Sequence, residues 1–184
     1  MPDRLHFTGD DAADTLLAKN PLALLIGFAL DQQVTVPTAF TGPRKLEQRL
    51  GKLDAAAIAG MDPAELEAAF REKPAVHRFP GNMARRVQEL CATIVSEYGG
   101  DASRVWTDAT DDTDLRRRIE SLPGFGKMKV TALGSVLAKR YGVQAAQGLV
   151  PTHPTLGDVD SPEALERYQA AKREYKAKLR AQTT

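Results

Sequence analysis

A chain of 184 residues, 42% hydrophobic and 27% charged, has the size of one globular domain or of two small subdomains sharing an interface. Its 14 Gly and 11 Pro exclude a low-complexity or collagen-like chain. Its single cysteine, Cys91, excludes a disulfide framework, a four-cysteine zinc site and a four-cysteine iron-sulfur cluster within one chain. The net charge of +1 hides an asymmetry: residues 1–75 hold 8 Lys/Arg against 11 Asp/Glu, and residues 76–184 hold 17 against 13. Such an imbalance favours a polyanionic partner only weakly, and solvated helix faces account for it equally well.

The first residues carry acids and no apolar centre, unlike a signal peptide, and the lone cysteine fits a reducing, cytoplasmic setting. Asn20-Pro21 is a cap followed by a first-turn proline, and residues 22–30 after it are apolar on every face. That pattern predicts a central, buried helix. At nine residues it is far below the roughly 20 that cross a bilayer, so no membrane association is expected. Leu46 and Leu50 share a helix face near Phe40, and Pro63 opens a short helix bearing Leu66 and Phe70. Met83, Val87, Leu90, Cys91, Ile94, Val95 and Tyr98 give the clearest helical period, ended by Gly99-Gly100. A further helix starts among Asp111, Asp112 and Asp114, carries Leu115 and Ile119, and stops at Pro123-Gly124. The next runs through Val130, Leu133, Val136 and Leu137 to Gly142. Residues 143–160 have no period and read as a loop. Ser161-Pro162-Glu163 opens a last helix with Leu165, Tyr168, Tyr175 and Leu179 on one side. No strand pattern and no internal repeat interrupts this succession, which predicts an all-α protein.

The chemistry concentrates in residues 122–132, Leu-Pro-Gly-Phe-Gly-Lys-Met-Lys-Val-Thr-Ala. Gly124 and Gly126 suit backbone conformations and close approaches that a Cβ resists, and the following helix starts with unpaired amides. A phosphate there would accept hydrogen bonds from the turn and the helix N-terminus, with Lys127 and Lys129 adding charge. A plain tight connection between two helices is the alternative.

These residues resemble the helix-hairpin-helix motif, LPGxG followed by a helix, of the HhH-GPD superfamily of DNA glycosylases. Upstream, Leu30-Asp-Gln-Gln-Val-Thr-Val36 resembles the GQQ(L/I)SV segment of the 3-methyladenine glycosylase II branch. Phe79-Pro-Gly-Asn-Met-Ala-Arg-Arg-Val87 resembles a helix start of endonuclease III relatives. The three segments occur in the family's order, and with AFTGP they are similar to a bacterial subgroup of it, over residues 10–142. The resemblance implies a helical barrel over residues 20–142 with the helix-hairpin-helix at 112–141. A small helical unit would then form from residues 1–19 and 143–184.

The resemblance also implies roles, residue by residue. In bifunctional members a lysine two positions beyond the second hairpin glycine attacks the sugar; here that position is Met128, and Lys129 is the alternative nucleophile. The family's aspartate belongs about twenty residues beyond the hairpin, where residues 144–147 are uncharged and Val150-Pro151-Thr152-His153 has proline in its place. Asp158 and Asp160 are the carboxylates left in that loop, although Asp160 equally suits the start of the Ser161 helix. Gln33 corresponds to the residue pushed into the DNA stack, with Gln32 supporting it; helix-end capping is the other reading of both. Arg85, Arg86 and Asn82 suit phosphate contact. An extruded base needs an apolar or aromatic pocket, with Phe28, Phe79, Trp106 and Tyr141 as candidates.

The expected activity is base excision from damaged double-stranded DNA by a monofunctional glycosylase, working as a monomer in the cytoplasm at the nucleoid. The alternative is a non-catalytic lesion-recognition module. No iron-sulfur cluster is expected, and the hairpin carbonyls of Leu122 and Gly124 are the expected seat of K+ or Na+ when DNA is bound.

Overall fold

The computed structural model describes residues 2–183, and every regular element among them is helical. In chain order these are α1 (Asp11–Lys19), α2 (Pro21–Leu30), α3 (Val36–Leu50), α4 (Ala55–Ala59), α5 (Pro63–Arg71), α6 (Pro80–Tyr98), α7 (Arg104–Thr107), α8 (Asp112–Glu120), α9 (Lys127–Tyr141) and α10 (Pro162–Gln182). Short polar side chains fix most of the starts, because each accepts from an amide that the helix itself leaves unpaired. Asn20 takes the N–H groups of Leu22 and Ala23 at 3.0 and 3.2 Å. Asp10, Thr35, Asp54, Asp62, Asp111 and Ser161 do the same for α1, α3, α4, α5, α8 and α10. Gly99 and Gly142, both left-handed, end α6 and α9 as the sequence predicts.

The all-apolar α2 is the axis of the molecule, with residues 22–30 all buried. Phe28 of α2 and Phe7 of the N-terminal segment meet Phe40 of α3 edge-on, each at 5.0 Å between centroids. The same core takes in Val87, Leu90 and Ile94 of α6, Leu133 and Leu137 of α9, and Leu156, Val159 and Leu165 near the C-terminal end. No single helix among the described residues is long and apolar enough to cross a membrane.

The N-terminal segment is fastened by Asp14, a carboxylate only 3% exposed. Its Oδ1 accepts from the Phe7 and Thr8 N–H groups at 3.2 and 3.0 Å and from the Thr8 hydroxyl at 2.8 Å. Burial raises its pKa and these bonds pull it back only in part.

One expectation needs correction here. Residues 143–160 are not an unstructured loop: 3-10 turns form at Gln144–Leu149 and Leu156–Asp158. Both pack on α9, the second so closely that a Cβ on Gly157 would lie 2.6 Å from the Ser135 carbonyl oxygen. A turn of six or of three residues is too short to show a period. The apolar side of α10 is only half used. Leu165 is buried, but Tyr175 and Leu179 are 64% and 44% exposed, because α10 runs past the body it packs on.

Candidate nucleic-acid interface

The hairpin between α8 and α9 is held by two buried side chains, Leu122 and Phe125, and by the Phe125 N–H donating to the Leu122 carbonyl at 3.1 Å. Gly124 between them has φ +81, which a residue with a Cβ adopts only with strain. Gly126 differs from the sequence expectation. Its φ of −92 and ψ of −172 suit any residue, and nothing lies within 4 Å of where its Cβ would be. The fold therefore does not require glycine there; the open space lies directly in front of the first turn of α9.

That first turn has no side-chain cap, and neither does the first turn of α6, whose N-cap is Phe79. Among the described α-helices of eight or more residues, only these two start uncapped. Arg86, from the second turn of α6, links them: its guanidinium lies across the hairpin, so that a Cβ on Gly124 would sit 2.0 Å from its Nη1. Two helix N-termini with free amides, flanked by Arg86, Arg85 and the exposed Lys127, form a surface suited to phosphates.

Beside it lies the loop joining α2 to α3. Gln32 and Gln33 are exposed, and Gln33, at φ +59, is the one non-glycine residue with positive φ among those described. Such a conformation persists only where the surroundings impose it. His77 imposes it here. Its Nε2 lies 3.1 Å from both the Leu30 and the Gln32 carbonyl oxygens, while its Nδ1 accepts from the Phe79 N–H at 3.0 Å. The ring is therefore neutral with its proton on Nε2. Burial, helped by the Arg78 and Lys129 charges and opposed by the two carbonyl bonds, lowers its pKa. The Arg78 guanidinium covers the Phe79 ring at 4.9 Å. An open cleft of about 350 Å³ separates the loop from α6, lined by Gln32, Gln33, Phe79, Asn82, Arg85 and Arg86 among others. Arg85 donates to Asn82 across its rim.

The raised Gln33 backbone gives a test with opposed readouts. Gln33→Gly is expected to gain about 0.5 kcal/mol of stability, since relief of the left-handed strain slightly exceeds the entropy glycine costs. Affinity for a duplex with a damaged or abasic nucleotide should fall roughly tenfold. Urea denaturation and binding titrations check the two; a parallel loss of both would make Gln33 merely structural.

The start of α9 at Lys127 decides the lysines. Met128, at the position expected of the nucleophile, is 87% exposed. Lys129 turns inward, its Nζ donating to the Ala29 carbonyl at 3.3 Å and lying 5.4 Å from the centre of the Phe125 ring. Burial, helped by the Arg86 charge and opposed by Asp31, brings its pKa down to about 8. A lysine depressed in the folded state makes the unfolded chain the better proton acceptor, so stability rises with pH between about 8 and the ordinary lysine value. Below that window the penalty is fully present. Lys129→Met is therefore expected to stabilise the protein at pH 7 by about 1–2 kcal/mol, discounted for partial exposure. It should also abolish the rise in denaturation midpoint from pH 8 to pH 10; an unchanged rise would assign it to other groups.

The two loop carboxylates are differently placed. Asp158 closes a capping box, accepting from the Thr155 N–H at 2.9 Å, and pairs with Lys139. Burial raises its pKa, but these partners and the Arg140 charge outweigh it and leave it lowered. Asp160 is exposed and precedes Ser161, which itself caps α10. His153 is exposed. Of the aromatic candidates, Phe28 and Trp106 are buried, Tyr141 donates its hydroxyl to the Ala18 carbonyl at 3.1 Å, and Phe79 alone faces the cleft. Sequence reasoning passed over His77, and it passed over Asp31, which stops the apolar run immediately before Gln32. A charge at that point was the available signal. Among the described residues no three His, Cys, Asp or Glu side chains gather as metal ligands.

Comparison with known proteins agrees with this geometry. A family model described as HhH-GPD superfamily base excision DNA repair protein matches residues 26–183. The chain belongs to the HhH-GPD superfamily, whose members are DNA-binding base excision repair proteins. No curated protein and no solved structure matched it.

Proposed function

We propose that the protein is a monofunctional DNA glycosylase that removes a damaged base from duplex DNA. The observation that carries this reading is that the left-handed Gln33 shares a cleft with the uncapped start of α6, while Arg86 of α6 reaches the hairpin before the uncapped start of α9. The amides of α9 and α6, with Lys127, Arg85 and Arg86, grip consecutive phosphates without reading sequence. Gln33 fills the gap left in the stack when a nucleotide is extruded, and Gln32 and Phe79 support it. Water then takes the place of the base at C1′. The Leu122 carbonyl keeps a free lone pair beyond the Phe125 bond, and with the Gly124 carbonyl it offers oxygen donors of the kind that suit K+ or Na+. Such an ion would neutralise a phosphate at the hairpin. The protein is expected to work as a monomer at the nucleoid.

A specific observation favours a second reading. Lys129 points inward with a depressed pKa, as an amine nucleophile requires. The experiment is excision by the purified protein on duplexes carrying uracil, alkylated, deaminated and oxidised bases, scored with and without alkali. Strand breaks only after alkali support the monofunctional enzyme, and breaks without alkali support the Lys129 amine. Salt-sensitive binding with no excision of any base would instead make it a lesion-recognition module.

A further inference from the structure

Asp31 is placed where an acid does not help the fold. It is the C-cap of α2, at the negative end of a ten-residue helix dipole, where a carboxylate is disfavoured. It is half-buried, and no hydrogen bond or close ion pair of its carboxylate occurs among the described residues. The charges that act on it come from two elements, Lys172 and Lys176 of α10 and Lys129 of α9, and it acts in turn on Tyr168 of α10. Burial raises its pKa, and the three lysines offset that only in part. It in turn helps to raise the pKa of Tyr168, after burial. Lys172 leans over the Tyr168 ring at 6.0 Å, and Lys129 is drawn against the last turn of α2 by its bond to Ala29. A carboxylate at odds with local stability, in a cluster of opposite charges, marks a functional position.

Its place in the chain supplies the rest. Asp31 is two residues from Gln33 and ends α2, and Lys129, in the first turn of the hairpin helix, donates to the Ala29 carbonyl two residues before it. A nucleotide displaced by Gln33 and anchored by the hairpin phosphate contacts brings its sugar to the space between those two elements. We propose that Asp31 is the catalytic carboxylate of this protein, taking the role that Pro151 cannot fill and that Asp158 leaves open, tied as it is to the Thr155 N–H and Lys139. This rests on the glycosylase reading above. Asp31 accepts a proton from a water whose oxygen bonds to C1′ as the C1′–N bond breaks. The electron pair of that bond leaves with the base, which is protonated by solvent, and Asp31 returns its proton to solvent. The products are the free base and an abasic sugar. As the bond breaks, the carboxylate also lies against the positive charge that develops on the sugar. Lys172, Lys129 and Lys176 favour its ionised form, against its burial.

Two measurements test this with the full chain and Asp31→Asn. The first is affinity for a duplex containing a cationic pyrrolidine abasic nucleotide, compared with the neutral tetrahydrofuran analogue. The wild-type protein should prefer the cation at least 30-fold, and Asp31→Asn should bind both alike with unchanged tetrahydrofuran affinity. The second is single-turnover excision of whichever base the panel identifies, expected to fall at least 100-fold in Asp31→Asn at unchanged duplex affinity. An equal cation preference in both proteins, or excision within threefold of wild type, overturns the assignment. A cation preference that depends on Asp31 without excision of any base would sink the glycosylase reading while keeping Asp31 as a sugar-cation ligand. The Asp160→Asn variant should match the wild type in both measurements; its loss of excision with Asp31→Asn unaffected would move the carboxylate to Asp160.

Discussion

Duplex DNA should bind about 100-fold more weakly, roughly 2.7 kcal/mol, to a protein carrying Gly124→Ala together with Lys127→Glu. Gly124 holds φ +81, so alanine there costs about 1–2 kcal/mol of backbone strain. It also collides with Arg86, whose Nη1 would lie 2.0 Å from the new Cβ, and a displaced Arg86 no longer faces the phosphates. Lys127→Glu reverses a charge in the first turn of α9, where the uncapped amides already concentrate positive potential. The loss should be the same for damaged and undamaged duplexes, because phosphate contacts carry no sequence information. Each phosphate contact removed should lower the slope of log affinity against log salt by about 0.9. Binding titrations across a salt series, with circular dichroism to confirm folding, decide it. Unchanged affinity and slope would remove the hairpin from the interface. Gly126→Ala is the companion experiment: it should leave thermal stability alone, since its Cβ would enter open space. Weaker binding by that variant would show that the missing Cβ serves the ligand rather than the fold.

The largest expected loss of stability is at the opposite end of the chain. Asp14→Ala should lower the unfolding free energy by about 3 kcal/mol, because the Phe7 and Thr8 amides lose their acceptor in a buried place. The segment they belong to seats Leu5 and Phe7 in the core, with Phe7 on the Phe40 ring. Asp14→Asn keeps an oxygen for those amides and removes a charge that burial disfavours, so it should cost less than half as much. The raised pKa means that the folded protein holds the Asp14 proton more tightly than the unfolded chain. The charge penalty is therefore absent below the ordinary aspartate value and grows as pH rises through the folded pKa. Urea denaturation of both variants at pH 4 and pH 7 checks the order; equal losses would mean that the carboxylate oxygen is not what holds the segment.

Helix boundaries were legible where one residue dictates them. Asn20-Pro21, Asp111, Ser161-Pro162, Gly99 and Gly142 act within one turn of chain, and the caps and left-handed ends appear where those residues stand. The buried α2 followed from composition alone, since nine apolar residues leave no face for water. The family was legible for a similar reason. LPGFG, LDQQV and the segment from Phe79 each carry their physics locally: a turn, a helix end and a helix start.

Orientation and depth required the tertiary structure. The sequence shows Met128 and Lys129 as neighbours, and only the exit direction of α9 sends one to solvent and the other against Ala29. It shows His77 as an isolated histidine, 45 residues from the Gln32 carbonyl it binds. Asp31 reads as the polar end of an apolar run until α9 and α10, some 100 and more residues onward, bring Lys129, Tyr168 and Lys172 to it. Local steric and hydrogen-bonding rules therefore set the helices, the hairpin and the family. Long-range packing set which charges lose water, and hence which side chains are poised for chemistry.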